Sequence, residues 1–226
     1  MNKRDRWLAG AAALITAPLM ALPASTPASA AACGTASVLT YAADGFSCNV
    51  GNVLFSDIDV SPLSTGGGFV QLGNFTPFSN GNFSGLSMNF IAAAVPGATS
   101  STDIAWTYNV SALDGFLLQS VFASVVGNAT GTGGIFLSEV LSNGTVLSRN
   151  GAGTTTATFA PVASLSAAKD QFNFAGPAGF AATSIIQNGY SVVAVPGPMA
   201  GAGLPALLAL GGFVWARRRK APAMAA

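Results

Sequence analysis

Asp103-Ile104-Ala105-Trp106-Thr107-Tyr108-Asn109-Val110 puts Ile104, Trp106, Tyr108 and Val110 at every second position. Successive side chains of a strand point to opposite faces. Period two with aromatic and β-branched residues therefore predicts a half-buried β-strand. Upstream, Leu86, Met88 and Phe90 repeat the pattern. Downstream, residues 116–126 are apolar on both faces, which predicts a central strand. Residues 135–141 and 145–147 flank Asn143-Gly144. That dipeptide is a strong hairpin signal, because Asn and Gly tolerate the positive φ of a type I′ turn.

Further strands are expected over 53–60, 69–72, 154–162, 171–174 and 184–195. Turn signals separate them: Gly66-Gly67-Gly68, Asn80-Gly81, Pro96-Gly97, Gly133-Gly134, Gly176-Pro177 and Asn188-Gly189. No long stretch has helical periodicity. Many short strands with frequent turns argue for an all-β body, a single β-sandwich of jelly-roll or Ig-like type of about 165 residues. A β-barrel or β-solenoid is the alternative, although no fixed internal repeat is present.

The ends read differently. Lys3, Arg4 and Arg6 precede an apolar stretch over 8–22 and a small-residue region with Ala28-Ser29-Ala30. That order describes a secretory signal peptide over residues 1–30, cut before Ala31. A retained anchor is the alternative, but the apolar stretch is short of the about 20 residues a span needs. Cys33 has Ala30 where a lipobox places Leu, which argues against lipidation. Residues 200–216 carry no charge, and Arg217, Arg218, Arg219 and Lys220 follow at once. As a helix these residues would reach about 25 Å of a hydrocarbon core of about 30 Å. The four cations place the short tail over 221–226 in the cytoplasm and the body, 31–194, outside.

Cys33 and Cys48 are the only cysteines, and in an exported chain two cysteines suggest a disulfide. Between residues 31 and 198, Arg149 and Lys169 face seven carboxylates: Asp44, Asp57, Asp59, Asp103, Asp114, Glu139 and Asp170. The body therefore carries a net charge of about −5 and cannot neutralise a run of phosphates, so nucleic-acid binding is not expected. There is no histidine, which removes the Ser-His-Asp triad, the Cys-His pair and most zinc sites. We expect no enzyme activity and no cofactor. Asp57 and Asp59 would share a strand face about 7 Å apart. They are the candidate calcium ligands or carboxylate dyad, weighed against a solvated strand face with Ile58 and Val60 pointing inward. Glu139 has no obvious partner, and Lys169-Asp170 reads as a surface turn or strand-end ion pair. The five Asn-x-Ser/Thr triplets, Asn128-Ala129-Thr130 among them, follow from an Asn/Ser/Thr-rich surface.

Before the candidate span stands Val195-Pro196-Gly197-Pro198. A short proline motif, an apolar span and a basic stop together resemble the PEP-CTERM sorting signal in its V-P-G-P variant, here over 195–220. The resemblance implies that an exosortase recognises the motif and removes the anchor, with this chain as its substrate. Gly197 stands where the type motif has Glu, which implies a dedicated exosortase subtype. An ordinary single-span anchor is the alternative. No L-P-x-T-G is present, and a GPI signal would lack the basic cluster.

Cys33, Leu39, Tyr41, Cys48-Asn49-Val50-Gly51 and Phe55-Ser56 also resemble the opening of a group of PEP-CTERM exported proteins. Residues 103–110 and 165–170 resemble its later blocks. This implies an exported β-rich body and no particular activity. The expected partners are the general secretion machinery, signal peptidase, an exosortase, the membrane and an exopolysaccharide. The leading expectation is a structural or adhesive protein of a biofilm matrix. A carbohydrate- or calcium-binding module would show an aromatic platform or an acidic loop cluster. A glycan hydrolase would show a cleft holding Asp57 with Asp59, or Glu139, beside a second carboxylate.

Overall fold

The computed structural model describes residues 30–97 and 99–195. The expected signal peptide, apart from Ala30, lies outside the described residues. So do Pro196, Gly197, Pro198, the candidate span and the basic stop.

The described residues form twelve strands and one helical turn. The strands are β1 (Ala36–Ser37), β2 (Ser47–Val50), β3 (Val53–Thr65), β4 (Phe69–Asn80), β5 (Phe83–Ala94) and β6 (Ser100–Ala112). They continue with β7 (Phe116–Thr130), β8 (Gly133–Leu141), β9 (Val146–Asn150), β10 (Gly153–Val162), β11 (Ser164–Ala175) and β12 (Phe180–Ala194). The helical turn is α1 (Val38–Tyr41), capped by the Ser37 hydroxyl on the Thr40 N–H at 3.2 Å. One sheet has the order β1-β4-β5-β12-β7-β10 and the other β2-β3-β6-β11-β8-β9. All named strand pairs are antiparallel. Among the last eight strands, β5, β12, β7 and β10 share the first sheet and β6, β11, β8 and β9 the second, the wiring of a jelly roll.

Alternation decides what lies between the sheets. Ile104, Trp106, Tyr108 and Val110 are all buried, as the opening octapeptide requires, and meet Leu86, Met88, Phe55 and Phe75 in one core. Trp106 packs on Phe75 with ring centroids 5.0 Å apart and on Tyr108 at 5.0 Å. β7 is flanked on both sides, by β12 and β10, and residues 120–125 are buried without alternation. Cys33 and Cys48 are joined by a disulfide. The loop between them holds Tyr41, which is fully buried, donates to the Gly34 carbonyl at 2.6 Å and packs on Phe46 and Phe75.

Three turn expectations change. The β8–β9 hairpin forms around Asn143-Gly144, but only Gly144 has positive φ, at 86°. The Gly144 N–H bonds the Leu141 carbonyl at 2.9 Å, and the Leu141 N–H bonds Thr145 at 2.9 Å. This is the longer loop of a type I turn followed by a left-handed glycine, not type I′. Gly133-Gly134 opens β8 instead of turning. Asn188-Gly189 lies in the middle of β12, paired with Leu86-Gly85 on one side and Ala123-Phe122 on the other. A Cβ at Gly189 would stand 3.2 Å from the Phe78 ring and 3.4 Å from Phe83 Cβ. The glycine seats rings that pack across the outer face, which is why it reads as a turn and behaves as a strand.

Candidate functional site

On the outer face of the second sheet, β8 and β11 bring three phenylalanines together. Phe136 and Phe172 are register partners, and Phe174 pairs with Gly134. The ring of Phe136 lies 6.4 Å from Phe172 and 6.2 Å from Phe174, stacked on the latter at 29°. Gly134 makes that stack possible, because a Cβ there would meet the Phe174 ring at 2.6 Å and the Phe136 ring at 3.0 Å. Phe136 is 39% exposed, an aromatic surface that the fold leaves open to solvent. Ser138 pairs with Asp170 on one side and Ser148 on the other, while Asn150 pairs with Phe136. These polar side chains and the rings of Phe136 and Phe172 line a shallow groove of about 200 Å³.

Asp103 borders the same face as register partner of Phe172, diagonal to Asp170. Its pKa is pushed up to about 6, first by burial and then by a hydrogen bond to Asp170 and that residue's negative charge.

Inside the sandwich lies a polar seam. Lys169 is not at a surface turn: it sits mid-β11 with its side chain fully buried, its Nζ 3.2 Å from Glu139 Oε2. Glu139 correspondingly points away from Phe136, Ser138 and Val140 and into the core. Its Oε1 accepts from the Tyr108 hydroxyl at 2.8 Å and the Tyr190 hydroxyl at 3.3 Å. The two tyrosine hydroxyls are 2.9 Å apart. Burial pulls Lys169 below the ordinary amine range, opposed by the Glu139 charge. Burial pushes both tyrosines well above the ordinary phenol range, and the Glu139 charge adds to it. Next along β11, Gln171 donates to Asn173 at 2.8 Å. Asn173 in turn donates to Thr102, Thr183 and the Ala92 carbonyl at 3.0–3.2 Å. The signal for Glu139 was present in parity, since Ile135, Leu137 and Leu141 share its face.

Asp57 and Asp59 are exposed and flank buried Ile58, with Val60 packed against the core. They do not lie on a regular strand. A bulge adds one residue between Ser56 and Asp59, and Asp57 takes φ 50°. Its carboxylate accepts from Asn109 at 2.8 Å and from Ser56 at 3.2 Å. Among the described residues, no three His, Cys, Asp or Glu side chains converge as a metal site would need. Glu139 is sealed in the core with a lysine and two tyrosines beside it, so it holds no place in a solvent cleft. Val195, first residue of the candidate sorting motif, follows β12 directly and donates its N–H to the Gly115 carbonyl at 2.8 Å.

The chain matches no family model and no curated protein. Among solved structures it is similar to a family 11 carbohydrate-binding module of a cellulosomal cellulase of Clostridium thermocellum, with TM-score 0.20 and 16% identity over 57% of this chain and 86% of that one. A family 11 module from Clostridium thermocellum in complex with a β-1,3-1,4-mixed-linked tetrasaccharide gives TM-score 0.20 and 18% identity over 57% and 87%. A family two carbohydrate esterase from Cellvibrio japonicus gives 0.19 and 9% over 62% and 36%. Likenesses this distant carry no argument about function.

Proposed function

We propose that this chain is an exported, non-catalytic module that binds neutral polysaccharide through the outer face of its second sheet. It holds matrix glycan at the cell surface after an exosortase has released it from the membrane. The observation that carries the binding reading is the exposed stack of Phe136 with Phe172 and Phe174, bordered by Ser138, Ser148, Asn150 and Asp170. The C–H face of a pyranose is apolar and slightly positive, and the face of an aromatic ring is negative, so the two stack. Hydroxyl, amide and carboxylate groups at the rim accept and donate to sugar hydroxyls and fix orientation. The charge of about −5 on residues 31–198 and the Asp103–Asp170 pair disfavour an acidic polymer. The export reading rests on the segment order at the two ends and on the resemblance of 195–220 to a sorting signal. The β-sandwich ends where that motif begins, which suits a signal appended to a finished fold.

Affinity electrophoresis through gels containing neutral polysaccharides tests the binding. The protein should be retarded, and Phe136→Ala with Phe172→Ala should weaken binding at least about tenfold, the equivalent of ~1.4 kcal/mol. The melting temperature should be little changed. Equal retardation of wild type and variant, or none for either, would overturn the reading.

A further inference from the structure

Lys169, Glu139 and Asn188 all lie buried in the interior between the two sheets. Lys169 reaches from β11 across the sandwich to β12, where its Nζ stands 3.4 Å from the Gln187 carbonyl oxygen. That carbonyl is bonded to the backbone nitrogen of Asn188. The Asn188 side chain points into the same interior as Tyr190, two residues on, and is fully buried. It lies near the Tyr190 hydroxyl, lowering that group's pKa against the larger effect of burial, yet neither its oxygen nor its nitrogen has a hydrogen bond of good geometry. A buried amide left unpaired is costly, and an apolar side chain would fill the position more cheaply. Trp106 covers the amine, its ring centroid 5.8 Å from Nζ.

We propose that Lys169 Nζ and Asn188 Cγ join in an intramolecular isopeptide bond, with Glu139 as the proton carrier. In the first step the ammonium passes a proton to Glu139, leaving a neutral amine and a neutral acid. A water-excluded site favours that neutral pair. Burial already holds Lys169 below the ordinary amine range. The amine lone pair then attacks Asn188 Cγ while the Glu139 acid hydrogen-bonds the amide oxygen. Nζ–Cγ forms, Glu139 relays a proton from Nζ to Nδ2, Cγ–Nδ2 breaks and ammonia leaves. An amine and a carboxamide become a secondary amide and ammonia, so no oxidant, reductant or cofactor is needed. Fixing both groups in one core supplies the effective concentration that the free side chains lack. Tyr108 and Tyr190 act as positioning residues, holding Glu139 Oε1. The product ties the two sheets together covalently at their centres.

Intact mass of the full chain recovered from cells tests this. Wild type should be about 17 Da lighter than its sequence, allowing for the disulfide and end processing, because ammonia is lost. Backbone cyclisation at Asn188-Gly189 or Asn143-Gly144 would lose the same mass, so the Lys169→Arg variant is the control. There the deficit should vanish. Proteolysis of wild type should yield a branched peptide joining the Lys169 and Asn188 segments, and tryptic cleavage after Lys169 should fail. In Glu139→Gln the cross-linked fraction should fall at least about tenfold. If the variants do not fold, the branched peptide from wild type decides alone. A wild-type chain of full mass would overturn the proposal. So would a deficit that survives in Lys169→Arg, or a loss of about 18 Da placing Lys169 on Glu139.

Discussion

Asp103 stands across from Phe172 and holds its proton to about pH 6, chiefly because it is part-buried. The folded chain thus binds that proton more tightly than the unfolded chain, whose Asp titrates near 3.8. The contribution to stability is complete below about pH 4 and is lost as pH rises through about 6. Thermal melts of wild type and Asp103→Asn between pH 4 and 7 should therefore converge or diverge in one direction. Wild type should lose ground relative to the variant as pH rises, and a constant difference across that window would refute the linkage. Asp103 was legible as an outward strand position, but its carboxyl partner was not, because Asp170 comes from a strand far away in sequence. Lys169 and Glu139 were misread for a related reason. Charged side chains are almost never buried unless paired, and the pairing partners sit on different strands. Parity along 135–141 pointed inward, and residue type outweighed it.

At the scale of elements, alternation found most strands and the faces of their apolar residues. It was weaker on glycine. Asn143-Gly144 and Asn188-Gly189 are the same dipeptide, yet the first closes a hairpin and the second runs through the middle of a sheet. What separates them is the ring cluster of Phe78, Phe83 and Phe122 over Gly189, a contact between strands remote in sequence. Gly134 plays the same part beneath Phe174, and the platform depends on it. Gly134→Ala should displace that ring at a cost of about 1–3 kcal/mol. Glycan affinity should fall about fivefold or more, equivalent to ~1 kcal/mol. Electrophoretic retardation and a thermal melt run on the same preparation would check both. Unchanged affinity would mean that the stacking of Phe174 on Phe136 is irrelevant to binding.

For the whole molecule, a sandwich was readable from many short strands, but the order of strands within it was not. Period two states which side chains point inward and leaves open which strand lies beside which. Here the last two strands, β11 and β12, occupy central positions in their respective sheets. Neither sheet can close until the C-terminal strands are present, so folding must join parts far apart along the chain. That order suits a chain that, under the proposed export, crosses the membrane unfolded and assembles outside. Under the proposed sorting, intact mass should show a mature chain from about Ala31 to near Pro198 only in cells that have the exosortase. An uncut chain still carrying Arg217, Arg218, Arg219 and Lys220 with and without the enzyme would leave a plain membrane-anchored domain. The position of β12 has a mechanical side as well. Val195 leads straight out of that strand, so tension applied through the C-terminal end pulls β12 lengthwise between β5 and β7. Its ladders on both sides then bear the load together in shear, where an edge strand would peel away one hydrogen bond at a time. A domain whose C-terminal strand is seated this way resists being drawn out of its own fold by that strand.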